Sequence, residues 1–132
     1  MVHYIGVIDG LDDIWGVRFP DVDGCVSAGA TPEAAIADAT VSLRDVLTYK
    51  SAQGFAIPKA SSLAEVLASA EVATGESTVM IPLLLDSGRT IRAQVTLDAG
   101  LLAAIDDEAH QQGVTRSAFM ASAAREKIEA RR

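Results

Sequence analysis

Ile91-Arg92-Ala93-Gln94-Val95-Thr96-Leu97 alternates apolar and polar side chains without a break. A strand sends successive side chains to opposite faces, so Ile91, Ala93, Val95 and Leu97 share one face and Arg92, Gln94 and Thr96 the other. Asp98 follows as a helix cap, and Leu101, Leu102, Ile105 and Ala109 then recur at helical spacing up to Gly113. Thr115 caps a second helix that offers Ala118, Phe119, Ala123 and Ile128 to a core. One strand and two short helices, roughly forty residues, bury too little apolar surface to fold alone. The lone strand also leaves backbone donors and acceptors open along both edges. A second copy of the chain answers both deficits, because the two strands can pair antiparallel above four helices. Residues 89–132 are therefore expected to form a dimerisation module.

Three stretches of this module together resemble the ribbon-helix-helix family: Arg92-Ala93-Gln94-Val95-Thr96-Leu97, Leu101-Leu102-Ala103-Ala104-Ile105-Asp106 and Gly113-Val114-Thr115-Arg116-Ser117-Ala118-Phe119. The resemblance implies a ribbon lying in the major groove of double-stranded operator DNA, with Arg92, Gln94 and Thr96 reading bases. Arginine can hold guanine with two hydrogen bonds, glutamine can do the same for adenine, and threonine can meet a base edge or a thymine methyl. Thr115, Arg116 and Ser117 would contact phosphate through the amides and dipole of the second helix's start. The competing arrangement is a hairpin of residues 78–85 and 90–97 across Asp86-Ser87-Gly88-Arg89. It would leave Arg92, Gln94 and Thr96 as plain solvent-facing side chains.

Working back toward the start, residues 2–8 are rich in β-formers and predict a strand, with 9–13 as a turn and 14–19 as its hairpin partner. A short third strand is expected over 25–28. Thr31-Pro32-Glu33 combines a cap, a residue suited to the first helical position and a dipole-complementing acid. Behind it Ile36, Ala39, Leu43, Val46 and Leu47 share one helical face, so the helix should reach Tyr49 or Ser51 and end before Gly54. Ser62 and Glu65 have capping-box spacing for a short helix. Residues 78–85 read as a strand in which Pro82 cannot donate to a ladder, which favours a sheet edge or a bulge at that point. Asp86-Ser87-Gly88 forms a joint, dividing the chain into a first domain at 1–86 and the module at 89–132.

Within the first domain, Trp15-Gly16-Val17-Arg18-Phe19-Pro20-Asp21, Gly24-Cys25-Val26-Ser27-Ala28-Gly29 and Thr31-Pro32-Glu33-Ala34-Ala35 resemble the HicB antitoxin family, with Ala39 and Leu43 behind them. Asp23 stands where that family often has proline, and Ala30 where an acid is usual. The resemblance implies an α+β chain: a partial RNase H-like domain followed by the β-α-α module. It implies the antitoxin of a type II toxin–antitoxin system. Such a protein binds a HicA-type toxin, an mRNA-cleaving ribonuclease, and blocks its active site. It also represses its own operon as a transcription repressor. Asp9, Asp12, Asp13, Trp15, Asp21 and Asp23 are the expected toxin contacts. The alternative is a stand-alone ribbon-helix-helix regulator whose first domain oligomerises or binds a ligand.

Charge supports a division of labour. Residues 1–85 hold four Lys/Arg against eleven Asp/Glu, a net −7, whereas residues 86–132 hold seven of each sign. The front part therefore suits a basic partner and repels nucleic acid, while the back part can approach phosphate. Asp9 is the one acid placed at a strand end where a hydrolase would need several, so no catalytic residue is expected. His3 and His110 lack further ligands at metal spacing, so neither a metal nor a cofactor is expected. The single cysteine, Cys25, reads as a small buried apolar residue. With no long apolar run and no leader pattern, a cytoplasmic homodimer is expected, or a tetramer or higher assembly built from it, without membrane contact.

Overall fold

The computed structural model describes residues 1–130, which divide into two compact units: Met1–Asp86 and a second beginning at Ser87. In the first unit, strands β1 (His3–Leu11), β2 (Ile14–Arg18), β3 (Val26–Gly29) and β4 (Ser77–Pro82) form one antiparallel sheet in the order β3-β2-β1-β4. Helices α1 (Pro32–Ala52) and α2 (Leu63–Ala68) lie between β3 and β4 in sequence.

The β1–β2 hairpin departs from the sequence expectation. Residues 9–11 continue the strand, with Asp9 opposite Gly16, Gly10 opposite Trp15 and Leu11 opposite Ile14. Only Asp12 and Asp13 make the turn, and Asp12 takes φ 56°, a conformation that aspartate tolerates better than most residues. Gly10 is held in the ladder by its neighbour, since a Cβ there would lie 2.5 Å from Trp15 Cδ2. The indole needs a partner residue without a side chain, and it packs on toward the core from there.

Tyr4, Ile8, Val17 and Ile81 join Phe19, Val22, Cys25 and the α1 residues Ala35, Ala39, Leu43 and Leu47 in one buried cluster. Helix α1 is set on this face by its Thr31 cap, which accepts from the Ala34 N–H at 3.1 Å, and by Ser27 Oγ donating to the Ala35 carbonyl. On the opposite face of β1, Ile5 and Val7 are buried as well. Helix α2 opens with the capping box of Ser62 and Glu65. Both sheet edges are modified. Ala28 on β3 gives its N–H to Asp38 Oδ2 at 3.1 Å, and β4 ends on Pro82, which has none.

The second unit holds helices α3 (Ala99–Gln112) and α4 (Arg116–Glu129). Asp98 caps α3 by accepting from Gly100 and Leu101, and Gly113 ends it at φ 70°. Thr115 caps α4 by accepting from the Ala118 N–H. The segment at 90–97, expected to be a strand, forms none: β4 pairs with β1 alone, and the alternative hairpin of 78–85 with 90–97 is not formed either.

Candidate functional site

Two regions gather the residues singled out from the sequence. At the far end of the β1–β2 hairpin, Asp9, Asp12 and Asp13 are exposed beside Leu11 and Ile14, and with Thr74, Gly75 and Glu76 they line a cavity of about 590 Å³. Asp23 is exposed in the loop before β3. Trp15 and Asp21 have internal work. The indole N–H donates to the Asp12 carbonyl at 3.0 Å and so steadies the turn. Asp21 accepts from the Ser61 amide at 2.7 Å and the Ser61 hydroxyl at 2.8 Å, tying the β2–β3 loop to the chain ahead of α2.

In the second unit, Arg92, Gln94 and Thr96 are exposed along the segment ahead of α3, and so are Ile91, Ala93 and Val95 on the other alternation. Residues 90–96 and the start of α4, including Arg116 and Ser117, surround an open cavity of about 1410 Å³. Thr115 Oγ1 serves Ala118 and its carbonyl serves Phe119, so the Arg116 and Ser117 amides have no acceptor within the helix. The Arg116 side chain makes two hydrogen bonds of 2.8 Å to the Asp106 carboxylate. That contact lowers the Asp106 carboxyl and raises the Arg116 guanidinium from their ordinary values.

The model of the HicB-like antitoxins of bacterial toxin–antitoxin systems matches residues 4–124, a span that takes in both units. This chain belongs to that antitoxin family. Among curated protein sequences nothing matches it. Of the solved structures, the antitoxin HicB of Burkholderia pseudomallei is similar over 100% of both chains, with 25% identity and a TM-score of 0.60. A toxin–antitoxin complex from Streptococcus pneumoniae is similar over 96% of this chain and 98% of that one, at 18% identity and a TM-score of 0.51. A HicA3 and HicB3 toxin–antitoxin complex is similar over 64% of this chain and 99% of that one, at 18% identity and a TM-score of 0.52.

The antitoxin also carries contacts that sequence reasoning missed. Arg18 donates to both carboxylate oxygens of Glu76, at 2.6 and 3.0 Å, and to the Glu71 carbonyl. The Arg18 bond and a second from the Ala73 amide hold the Glu76 carboxyl down to about 2. These partners lie 58 residues apart, beyond any local pattern. Burial pushes the Cys25 thiol up, away from the thiolate that a reactive cysteine needs. Among the described residues no group of three His, Cys, Asp or Glu side chains could hold a metal ion, and no helix is long and apolar enough to cross a membrane.

Proposed function

We propose that this antitoxin neutralises a HicA-type toxin through its first unit and represses its own operon by binding operator DNA as a ribbon-helix-helix dimer. The first unit would be a partial RNase H-like fold, a three-stranded meander with a helix on one face and a fourth strand beside the first. The observation that carries the DNA-binding reading is the state of residues 91–97. They are polar and apolar by turns, belong to no helix or strand, and are exposed on both alternations from Ile91 to Thr96, with Leu97 half-buried. Pairing with the same segment of a second copy would cover Ile91, Ala93 and Val95 and turn Arg92, Gln94 and Thr96 outward as base readers. The amides at Arg116 and Ser117 would take a phosphate oxygen. Asp106 holds the Arg116 guanidinium in place for the same phosphate, so the cation would serve two anions.

Toxin binding is supported by the family and by the charge of the first unit. Two of its structural relatives were solved as toxin–antitoxin complexes. Asp9, Asp12, Asp13 and Asp23 are exposed and available to a basic protein, while Trp15 and Asp21 fix the loops that present them.

Arg92→Ala should weaken binding to the DNA upstream of the protein's own gene by about 1–3 kcal/mol and relax preference at one base position. Fluorescence anisotropy on a set of single-base operator variants reads both. Unchanged affinity would remove the ribbon from the DNA interface. Removing residues 89–132 should abolish operator binding and leave toxin neutralisation in place. If the full chain binds DNA but no toxin encoded beside it, the stand-alone regulator is the better reading.

A further inference from the structure

One face of the β1–β2–β3 sheet is covered at one end and open at the other. The ladder puts Asp9, Gly16 and Ala28 in one row across this face, Leu11 and Ile14 in the next, and Arg18 beside Val26 in the row before. On the same face of β1, Ile5 and Val7 are buried. Beyond Arg18 the cover stops: Leu11 is 75% exposed, Ile14 76% and Val26 68%. Between them Gly16 has no side chain and Ala28 only a methyl, so the surface is flat. Three exposed β-sheet aliphatics around a smooth centre are unusual on a monomer unless something docks there.

We infer that this open sheet face is where the toxin docks, with Leu11, Ile14 and Val26 as apolar anchors and the surrounding acids as its rim. The inference rests on the toxin-binding reading above and specifies its surface. Charge identifies the occupant as a basic protein. Asp12 and Asp13 close the Leu11–Ile14 end, Asp9 lies in the middle row, and Asp23 precedes the Val26 end. Arg18 is the one Lys or Arg in these three strands, and Glu76 neutralises it. A second copy of the first unit would bring its own net −8, four Lys/Arg against twelve Asp/Glu over residues 1–86, against this rim. A partner rich in Lys and Arg can instead lay apolar side chains and aliphatic stems on the flat centre while its charged ends reach the carboxylates. Anchors in the centre of such an interface govern dissociation, and rim charges govern association and its salt dependence.

The test uses the full chain and a catalytically inactive form of the toxin encoded beside it, followed by stopped-flow association and dissociation. The double variant Leu11→Ser with Ile14→Ser should raise Kd about tenfold or more, chiefly through faster dissociation. Ala28→Gln, which places bulk on the flat centre without removing an anchor, should weaken binding in the same direction. Asp12→Asn with Asp13→Asn should slow association and flatten its salt dependence. Phe55→Ser, at an aromatic that is 66% exposed outside these strands, is the control and should change nothing. If wild-type protein binds the toxin and both the anchor and Ala28 variants bind equally well, this face is not the interface, although the antitoxin reading stands. If wild-type protein does not bind the toxin, the reading itself has failed. A change in self-association of the anchor variants without toxin would give the face to a second copy and overturn the proposal.

Discussion

The two units solve the problem of burying apolar surface in opposite ways. In the first, a 21-residue helix lies on a four-stranded sheet, and Leu43, Leu47, Ala35, Ala39 and Ile81 are completely enclosed. In the second, two 14-residue helices bury Ile105 and Ala109 but leave Ile91, Val95, Leu101 and Val114 in solvent. Local signals are equally strong in both, since every helix of the second unit is capped as well as α1 is. Caps therefore define helices without by themselves enclosing a core. What separates the units is the presence or absence of a sheet to pack against.

The sharpest way to break this contrast is to place a charge in the exposed apolar row of the second unit. Val95→Asp should abolish self-association in sedimentation equilibrium, because pairing would bury the carboxylate, while the first unit's unfolding transition stays unchanged. Persistent dimers would mean that the second unit does not complete its core in this way. Next in size, Leu43→Ala should cost the first unit about 2–5 kcal/mol in denaturant unfolding, independent of protein concentration. A concentration-dependent loss would show that the first unit also relies on assembly. Removing a cap tests whether local signals are worth the same in each unit. Thr31→Ala should cost about 1 kcal/mol, read by the same denaturation.

Smallest is the acid response of the Arg18–Glu76 clasp. Folding lowers the Glu76 carboxyl from 4.5 to about 2, so its stabilising contribution is present above pH 4.5. That contribution fades as pH falls from there toward 2. Glu76→Gln should therefore lower the melting temperature at pH 7 and flatten its decline over that acid window. An unchanged slope would show that the clasp persists in the unfolded chain or contributes nothing.

Much of the architecture was legible because it is written in neighbouring residues. Thr31, Ser62, Asp98 and Thr115 announce their helices within four positions, and Gly113 marks an end. The hairpin was misread where a local signal met a longer-range one. Asp9-Gly10 has the composition of a turn, but Trp15 across the ladder needs the bare backbone of Gly10, and the turn moves on to Asp12-Asp13. That shift changes the candidate site, since it puts Asp9 and Leu11 on the sheet beside Gly16 and Ile14. Asp21 was legible as an exposed loop acid, yet its actual partner, Ser61, lies 40 residues away. Arg18 and Glu76 were hidden for the same reason. An interaction between distant positions in one sequence leaves no periodic trace.

The carboxylate of Asp38 on the outer side of β3 bears on how the protein behaves at high concentration. Sheet borders recruit any extended peptide that offers complementary amides, which is how folded proteins begin to clump. Here one border has its central donor occupied from within and the other finishes on an imino acid. Indiscriminate strand addition is discouraged on both sides of the sheet. The segment at 91–97 carries neither device, which leaves it open to strand addition where the sheet of the first unit is not.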